Sequence, residues 1–149
     1  MASLSIQRIL VGHDFGEHAQ AALDYALGLA EKLGARVTVV HAYELPVYGF
    51  PDGLALTGEV TGRIHAAMAQ ALDGIIEKTQ QTNVRVEGML RQGPAWSEIS
   101  AAAGEVQADL VVVGTHGRRG LAHALLGSVA EKVARSAPCP VLVVRGSST

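Results

Sequence analysis

The chain has 149 residues, 48% hydrophobic and 17% charged, which excludes a disordered polymer and suits one folded domain over residues 1–149. A net charge of −2 and a pI near 6.3 exclude a nucleic-acid binder that relies on basic excess, since few cations are left over to neutralise phosphates. The one cysteine, Cys139, excludes an internal disulfide and suits a reducing, cytoplasmic compartment, the first eight residues lack a signal-peptide pattern, and apolar runs such as Leu110 to Val113 are too short to span a membrane.

The first apolar run is Ile9-Leu10-Val11. After it, Ala19, Ala22, Leu23, Ala26, Leu27, Ala30 and Leu33 make one helical stripe, which Gly34 ends as a C′ glycine. The second run is Val37 to Ala42. Tyr43 to Gly62 is rich in glycine and proline and reads as a long loop. Ile64, Met68, Ala71, Leu72, Ile75, Ile76 and Thr79 then form a second stripe. Val84 to Leu90 alternates apolar with polar residues, as a sheet edge does. Gly93-Pro94 opens a third stripe of Ile99, Ala102, Ala103 and Val106, with Pro94 suited to the first helical turn. Leu110 to Val113 follows, unbroken by polar residues. Val129, Val133, Ala134 and Ala137 make the last stripe, stopped by Pro138 and Pro140 before Val141 to Val144.

Strand and helix alternate throughout. The pattern predicts an α/β domain: a five-stranded parallel sheet, helices on both faces, right-handed crossovers. In such a sheet, ligands bind beyond the carboxyl ends of the strands. Gly12-His13-Asp14 follows the first run, and Gly114-Thr115-His116-Gly117 follows the fourth. Gly114 and Gly117 allow sharp turns and close approach of a ligand. Gly127-Ser128 opens the last helix, where unpaired N–H groups and the helix dipole favour an anion. The Ser128 hydroxyl adds a donor. These residues make either a phosphate cradle or ordinary punctuation between elements.

The spacing Gly114, two residues, Gly117, nine residues, Gly127-Ser128 resembles the G-x2-G-x9-G-[S/T] signature of nucleotide-binding universal stress proteins. The likeness extends over nearly the full length, through Ile9 to Phe15, Ala108 to Gly114 and Cys139 to Val144. It implies a Rossmann-like sheet of order 3-2-1-4-5 that binds ATP, with Mg2+ brought in by the nucleotide. By the resemblance, Asp14 contacts the ribose or the adenine edge, and the backbone from Val40 to Ala42 meets the adenine. Val113 and Gly114 line base and ribose. Gly117, Gly127, Ser128, Val129 and Ala130 hold the phosphates through backbone N–H groups and the Ser128 hydroxyl. An acidic side chain beside a ribose is chemically apt, because a carboxylate accepts hydrogen bonds from hydroxyls. Gly12 stands where the family often has proline, which loosens the turn aiming Asp14. Gly16 stands where serine is common and removes a side-chain cap. Ala130 replaces a threonine and keeps only the backbone donor.

Other site types find little support. There is no G-x-x-x-x-G-K-[S/T] and no G-x-S-x-G, and the glycines of Gly114 to Gly120 do not make the dinucleotide fingerprint. His13, His41 and His116 gather near strand ends, but without the spacing of a structural metal site. Arg118 and Arg119 either clamp terminal phosphates or form a solvated pair. Tyr43, Tyr48 and Phe50 either close over a ligand or anchor their loop. Trp96 reads as a packing or interface residue and Cys139 as an inert small hydrophobe. No carboxylate or lysine is placed to activate water, so the chain reads as a regulatory or protective binding protein and not an enzyme. The resemblance also implies a homodimer through Val141 to Val144, which would cover an apolar sheet edge. The competing reading is a dimeric interaction protein of the same fold that needs no nucleotide.

Overall fold

Runs of valine, isoleucine and leucine suit strands buried on both faces, because branched side chains pack well on a pleated surface. Five such runs are strands in the computed structural model, which describes residues 4–45, 58–116 and 126–146. They are β1 (Arg8–Gly12), β2 (Arg36–Tyr43), β3 (Val86–Gln92), β4 (Leu110–Gly114) and β5 (Val141–Val144). All pair in parallel, in the order β3-β2-β1-β4-β5. The expected order is therefore the observed one, and the alternating run is indeed an edge strand.

The helices are α1 (Glu17–Leu33), α2 (Gly58–Lys78), α3 (Ala95–Glu105) and α4 (Ser128–Ser136). Two cores result, one on each face of the sheet. Ile9, Val11, Val37, Val39 and Val112 point toward α1 and α2, against Ala22, Leu23, Ala26 and Leu72. Leu10, Val40, Val111 and Val113 point the other way, against Ile99, Ala102 and Ala103 of α3 and Ala130 and Val133 of α4. Gly34 ends α1 in the left-handed conformation at φ 67°, with its N–H bonded to the Ala30 carbonyl. At the same, amino end of the sheet, the Asp109 carboxylate accepts the amides of Gln7 and Arg8 at 2.9 and 3.0 Å, fixing the start of β1 beside β4.

Three boundaries differ from expectation. The stretch from Tyr43 to Gly62 is not one loop: β2 runs through Tyr43, and α2 begins at Gly58. Gly58 and Gly62 are helical, each with no atom crowding it, and the exposed Glu59–Arg63 ion pair at 2.8 Å supports the turn that contains them. The remainder, residues 46–57 with Tyr48 and Phe50, lies outside the described residues. Next, β3 starts at Val86 and not Val84, because the chain leaves α2 through a 3-10 turn at Thr79–Gln81. There the Thr82 hydroxyl donates to the Thr79 carbonyl at 2.7 Å and prolongs the turn. Finally, Pro94 caps α3 at φ −60°, ψ 132°, one position before the helix.

Leu23 is fully buried between α1 and the sheet. Leu23→Ala should lower unfolding free energy by about 2–5 kcal/mol. Urea denaturation should show a lower midpoint at unchanged slope.

Candidate functional site

Between β1 and β4 the sheet order reverses direction, and their carboxyl ends leave a crevice. A cleft open to solvent lies there. Its walls include Gly12, Asp14, Val40, Ala42, Val113, Gly114, Val129 and Ala130, so eight of the expected site residues meet in one place. Gly117 lies outside the described residues, as do Arg118 and Arg119. Gly127 and Ser128 stand at the adjoining start of α4.

What joins the two halves of the glycine signature is Thr115. It is buried, its N–H donates to the Val144 carbonyl at 3.0 Å, and its own carbonyl accepts the Gly127 N–H at 2.6 Å. The start of α4 is thereby held at the end of β4, whatever path the intervening residues take. Gly127 is the N-cap in extended conformation, and its carbonyl accepts the Glu131 N–H. The amides of Ser128, Val129 and Ala130 belong to the first turn, where no intrahelical acceptor exists. Gly127 itself differs from expectation, since its amide is already given to Thr115. Ser128 is exposed, so its hydroxyl is accessible to a ligand.

The acidic corner is tightly built. The His13 N–H donates to the Val40 carbonyl at 2.9 Å, extending the β1–β2 ladder past Gly12. That carbonyl is therefore engaged, which leaves the Ala42 end of the expected base-contacting segment nearer the opening. The Phe15 N–H donates to His13 Nδ1 at 2.9 Å, and the Gly16 N–H donates to Asp14 Oδ1 at 2.9 Å. His41 Nδ1 donates to the His13 carbonyl at 2.7 Å, and the His41 ring lies 4.1 Å from that of Phe15. Phe15 has φ 68°, a left-handed conformation that a bulky residue adopts at a cost of about 1–3 kcal/mol and only under strong local constraint. Gly12 has a packing role. A Cβ there would lie 2.8 Å from Ile99 Cδ1, so glycine leaves room for α3 to close on the sheet. Gly16 caps α1 with no side-chain bond, as expected.

Gly114 also has a packing role. A Cβ at this position would sit 2.7 Å from the His18 carbonyl oxygen, so α1 owes its close approach to the end of β4 to this glycine. The histidines do not form one cluster. His13 and His41 share the buried corner, while His116 lies beside His18 with ring centroids 5.5 Å apart. Among the described residues, no group of three His, Cys, Asp or Glu side chains is arranged to hold a metal ion. Tyr43 lies on β2 with its hydroxyl 2.8 Å from His65 Nδ1. Trp96 is partly exposed on α3, with the Lys132 ammonium 5.8 Å from its ring centroid, a surface contact between α3 and α4.

Burial holds the His13 imidazole below its ordinary pKa. His41 acts in the same direction, whereas Gln20, Asp14 and Asp24 oppose it. Gln20 favours the cation without reaching an aligned hydrogen bond to Nε2, which is buried and unpaired among the described residues.

Ala19, Ala95 and Ile99 line the cleft without having been expected there, and His13 and His116, which follow the first and fourth strands, line it as well. For Ala95 and Ile99 the signal was Gly93-Pro94. A helix started there, at the carboxyl end of β3, turns its first two inward positions toward the crevice. Arg91 keeps α3 in place, pairing with Glu98 at 2.9 Å and Glu105 at 2.7 Å.

Residues 5–145 match the family model described as the universal stress protein family. A universal stress protein of Thermus aquaticus is 40% identical over 143 residues, covering 92% of this chain and 97% of its own. The solved structure of the universal stress protein UspA from Lactobacillus plantarum superposes with a TM-score of 0.83 at 26% identity, covering 96% of this chain and all of its own. A universal stress protein in complex with cAMP superposes with a TM-score of 0.69 at 26% identity, over 96% of this chain and 99% of its own.

Two outcomes follow from the geometry. Gly114→Ala forces a clash with backbone and should cost about 1–3 kcal/mol in urea unfolding, with α1 displaced from β4. A folded chain that disfavours the His13 cation binds its proton after the unfolded chain does. Stability from this group is therefore complete above about pH 6.5 and declines as pH falls toward the lowered folded value. Denaturation at pH 7.5 and 5.5 measures that loss, which His13→Asn should reduce.

Proposed function

The chain belongs to the universal stress protein family, and from that premise we propose that it is an ATP-binding member acting in stress response. Its role is regulatory or protective: nucleotide occupancy biases its conformation or its partners. The observation that carries this reading is the Thr115–Gly127 bond. It sets the open amides of α4 beside Val113 and Gly114, with Asp14 on the facing side of the cleft. Phosphates suit the helix start, since partial positive charge and free donors coincide there. The Asp14 carboxylate suits ribose hydroxyls, and apolar Val40, Val113 and Ile99 suit a base. The cAMP complex of a structural neighbour supports an adenine nucleotide.

Magnesium fits as a companion of the nucleotide, because it keeps several waters and needs few protein ligands. We read the chain as a binder and not an enzyme, in the cytoplasm and dimeric through β5. That strand is an edge whose four residues are only partly covered, so pairing with a second copy would satisfy it. No described helix is long and apolar enough to cross a membrane.

Calorimetric titration with ATP, and identification of any nucleotide that co-purifies, test this reading. Gly127→Val is the informative variant, because φ −68° and ψ 158° accommodate valine and the chain should still fold. Its side chain crowds the first-turn amides and should weaken ATP by at least about tenfold, equal to about 1.4 kcal/mol. Wild-type protein with neither heat nor bound nucleotide would leave a nucleotide-independent interaction protein as the better account.

A further inference from the structure

The corner that carries Asp14 contains a device that the nucleotide reading does not use. His13 is only 4% exposed. It follows β1 directly and lines the cleft together with Ala19 of α1 and Ile99 of α3, while Gln20 and Asp24 of α1, the adjacent Asp14, and His41 of β2 act on its ring. Its Nδ1 accepts the Phe15 N–H at 2.9 Å. That bond requires an unprotonated Nδ1, so the neutral ring carries its hydrogen on Nε2. Phe15 is the residue between Asp14 and Gly16, and it is held at φ 68°. The turn in which Gly16 donates to Asp14 Oδ1 therefore closes only while Phe15 keeps this conformation.

We propose that His13 is a positioning residue for the candidate site: its unprotonated Nδ1 pins Phe15 and thereby aims the Asp14 carboxylate into the cleft, so that nucleotide affinity is gated by proton binding at His13. This inference rests on the nucleotide reading given above. The titratable groups facing the ring are Asp14 beside it, Asp24 from α1 and His41 from β2, together with the neutral Gln20 amide. Protonation would set an N–H on Nδ1 against the Phe15 N–H, two donors facing one another. The Asp14 carboxylate beside the ring would accept a hydrogen bond from the new N–H and give up the Gly16 amide. His41 holds the His13 carbonyl at 2.7 Å and stacks on Phe15, so the backbone of the corner stays anchored while the turn opens. Burial of the ring places the gate below the ordinary histidine range, on the acidic side of neutral.

Three proteins test the proposal: wild type, His13→Asn and His13→Leu. Asparagine places Oδ1 where histidine has Nδ1 and accepts the Phe15 amide without titrating. ATP affinity is measured by calorimetry from pH 8 to pH 5.5; the titration of ATP itself is common to all three and cancels in the comparison. Wild-type affinity should fall on acidification by about three- to tenfold more than that of His13→Asn, the effect of losing one hydrogen bond. His13→Leu should be weak throughout, and His13→Asn should recover wild-type affinity at pH 8. Equal pH dependence in wild type and His13→Asn would overturn the proposal.

NMR of the free wild-type protein gives a second readout. The Phe15 and Gly16 amide resonances should move together with the His13 ring as pH is lowered. Amides that ignore the ring would overturn the proposal whatever ATP does. If the amides follow the ring but wild type binds no ATP at pH 8, the nucleotide reading fails while the proton-gated turn stands.

Discussion

The pairing of β1 with β4 is the constraint on which the site depends. These strands are adjacent in space but separated by three crossovers in sequence, because the chain winds outward one way through β2 and β3 and the other way through β5. Ile9, Leu10 and Val11 register against Leu110, Val111 and Val112. All but Leu110 are essentially excluded from water, so the register is held by burial on both faces, and a slip of one residue would turn every side chain to the wrong core. The carboxyl ends of the two strands consequently emerge side by side. Gly12, His13 and Asp14 leave one and Gly114, Thr115 and His116 leave the other.

Each exit is then locked by hydrogen bonds to the backbone, made by backbone groups on the β4 side and also by the side chains of His13, Asp14 and His41 on the β1 side. On the β4 side, Thr115 joins the end of β5 to the beginning of α4. On the β1 side, His13 joins β2 to its own following turn. Rigid exits matter for binding, because a ligand that meets an ordered site loses less free energy to ordering it. The strained Phe15 fits this pattern: an unfavourable backbone conformation persists because His13, His41 and Gly16 together leave it no alternative.

Glycines in the site act chiefly on packing. The sequence suggests that Gly114 admits a ligand, but its lack of a side chain first admits the backbone of α1. Gly12 likewise accommodates Ile99 of α3. Both helices therefore come close enough to the strand ends to wall the cleft. Glycine at these positions shapes the site indirectly, through what it lets approach.

Much of this was legible in one dimension. The β-branched runs, the three-and-four spacing of alanine and leucine in α1, and the glycine and proline punctuation identify the parallel α/β domain, since each follows from local periodicity and backbone preference. The glycine signature and the acidic turn also identify the family and most of the cleft residues. The start of α2 was not legible, because helical glycines at Gly58 and Gly62 imitate a loop when exposure alone decides their cost. Ala95 and Ile99 were missed because a side chain on a helix has no sequence mark for the sheet edge it faces. The use of Gly127's amide by Thr115, and the closure of His13 on Phe15 and His41, depend on groups that meet only after the sheet has formed. The sequence by itself determined the elements, their order and the donor-rich start of α4. The tertiary structure alone decided which donors remain for a ligand, because hydrogen bonds across the fold had already claimed the others.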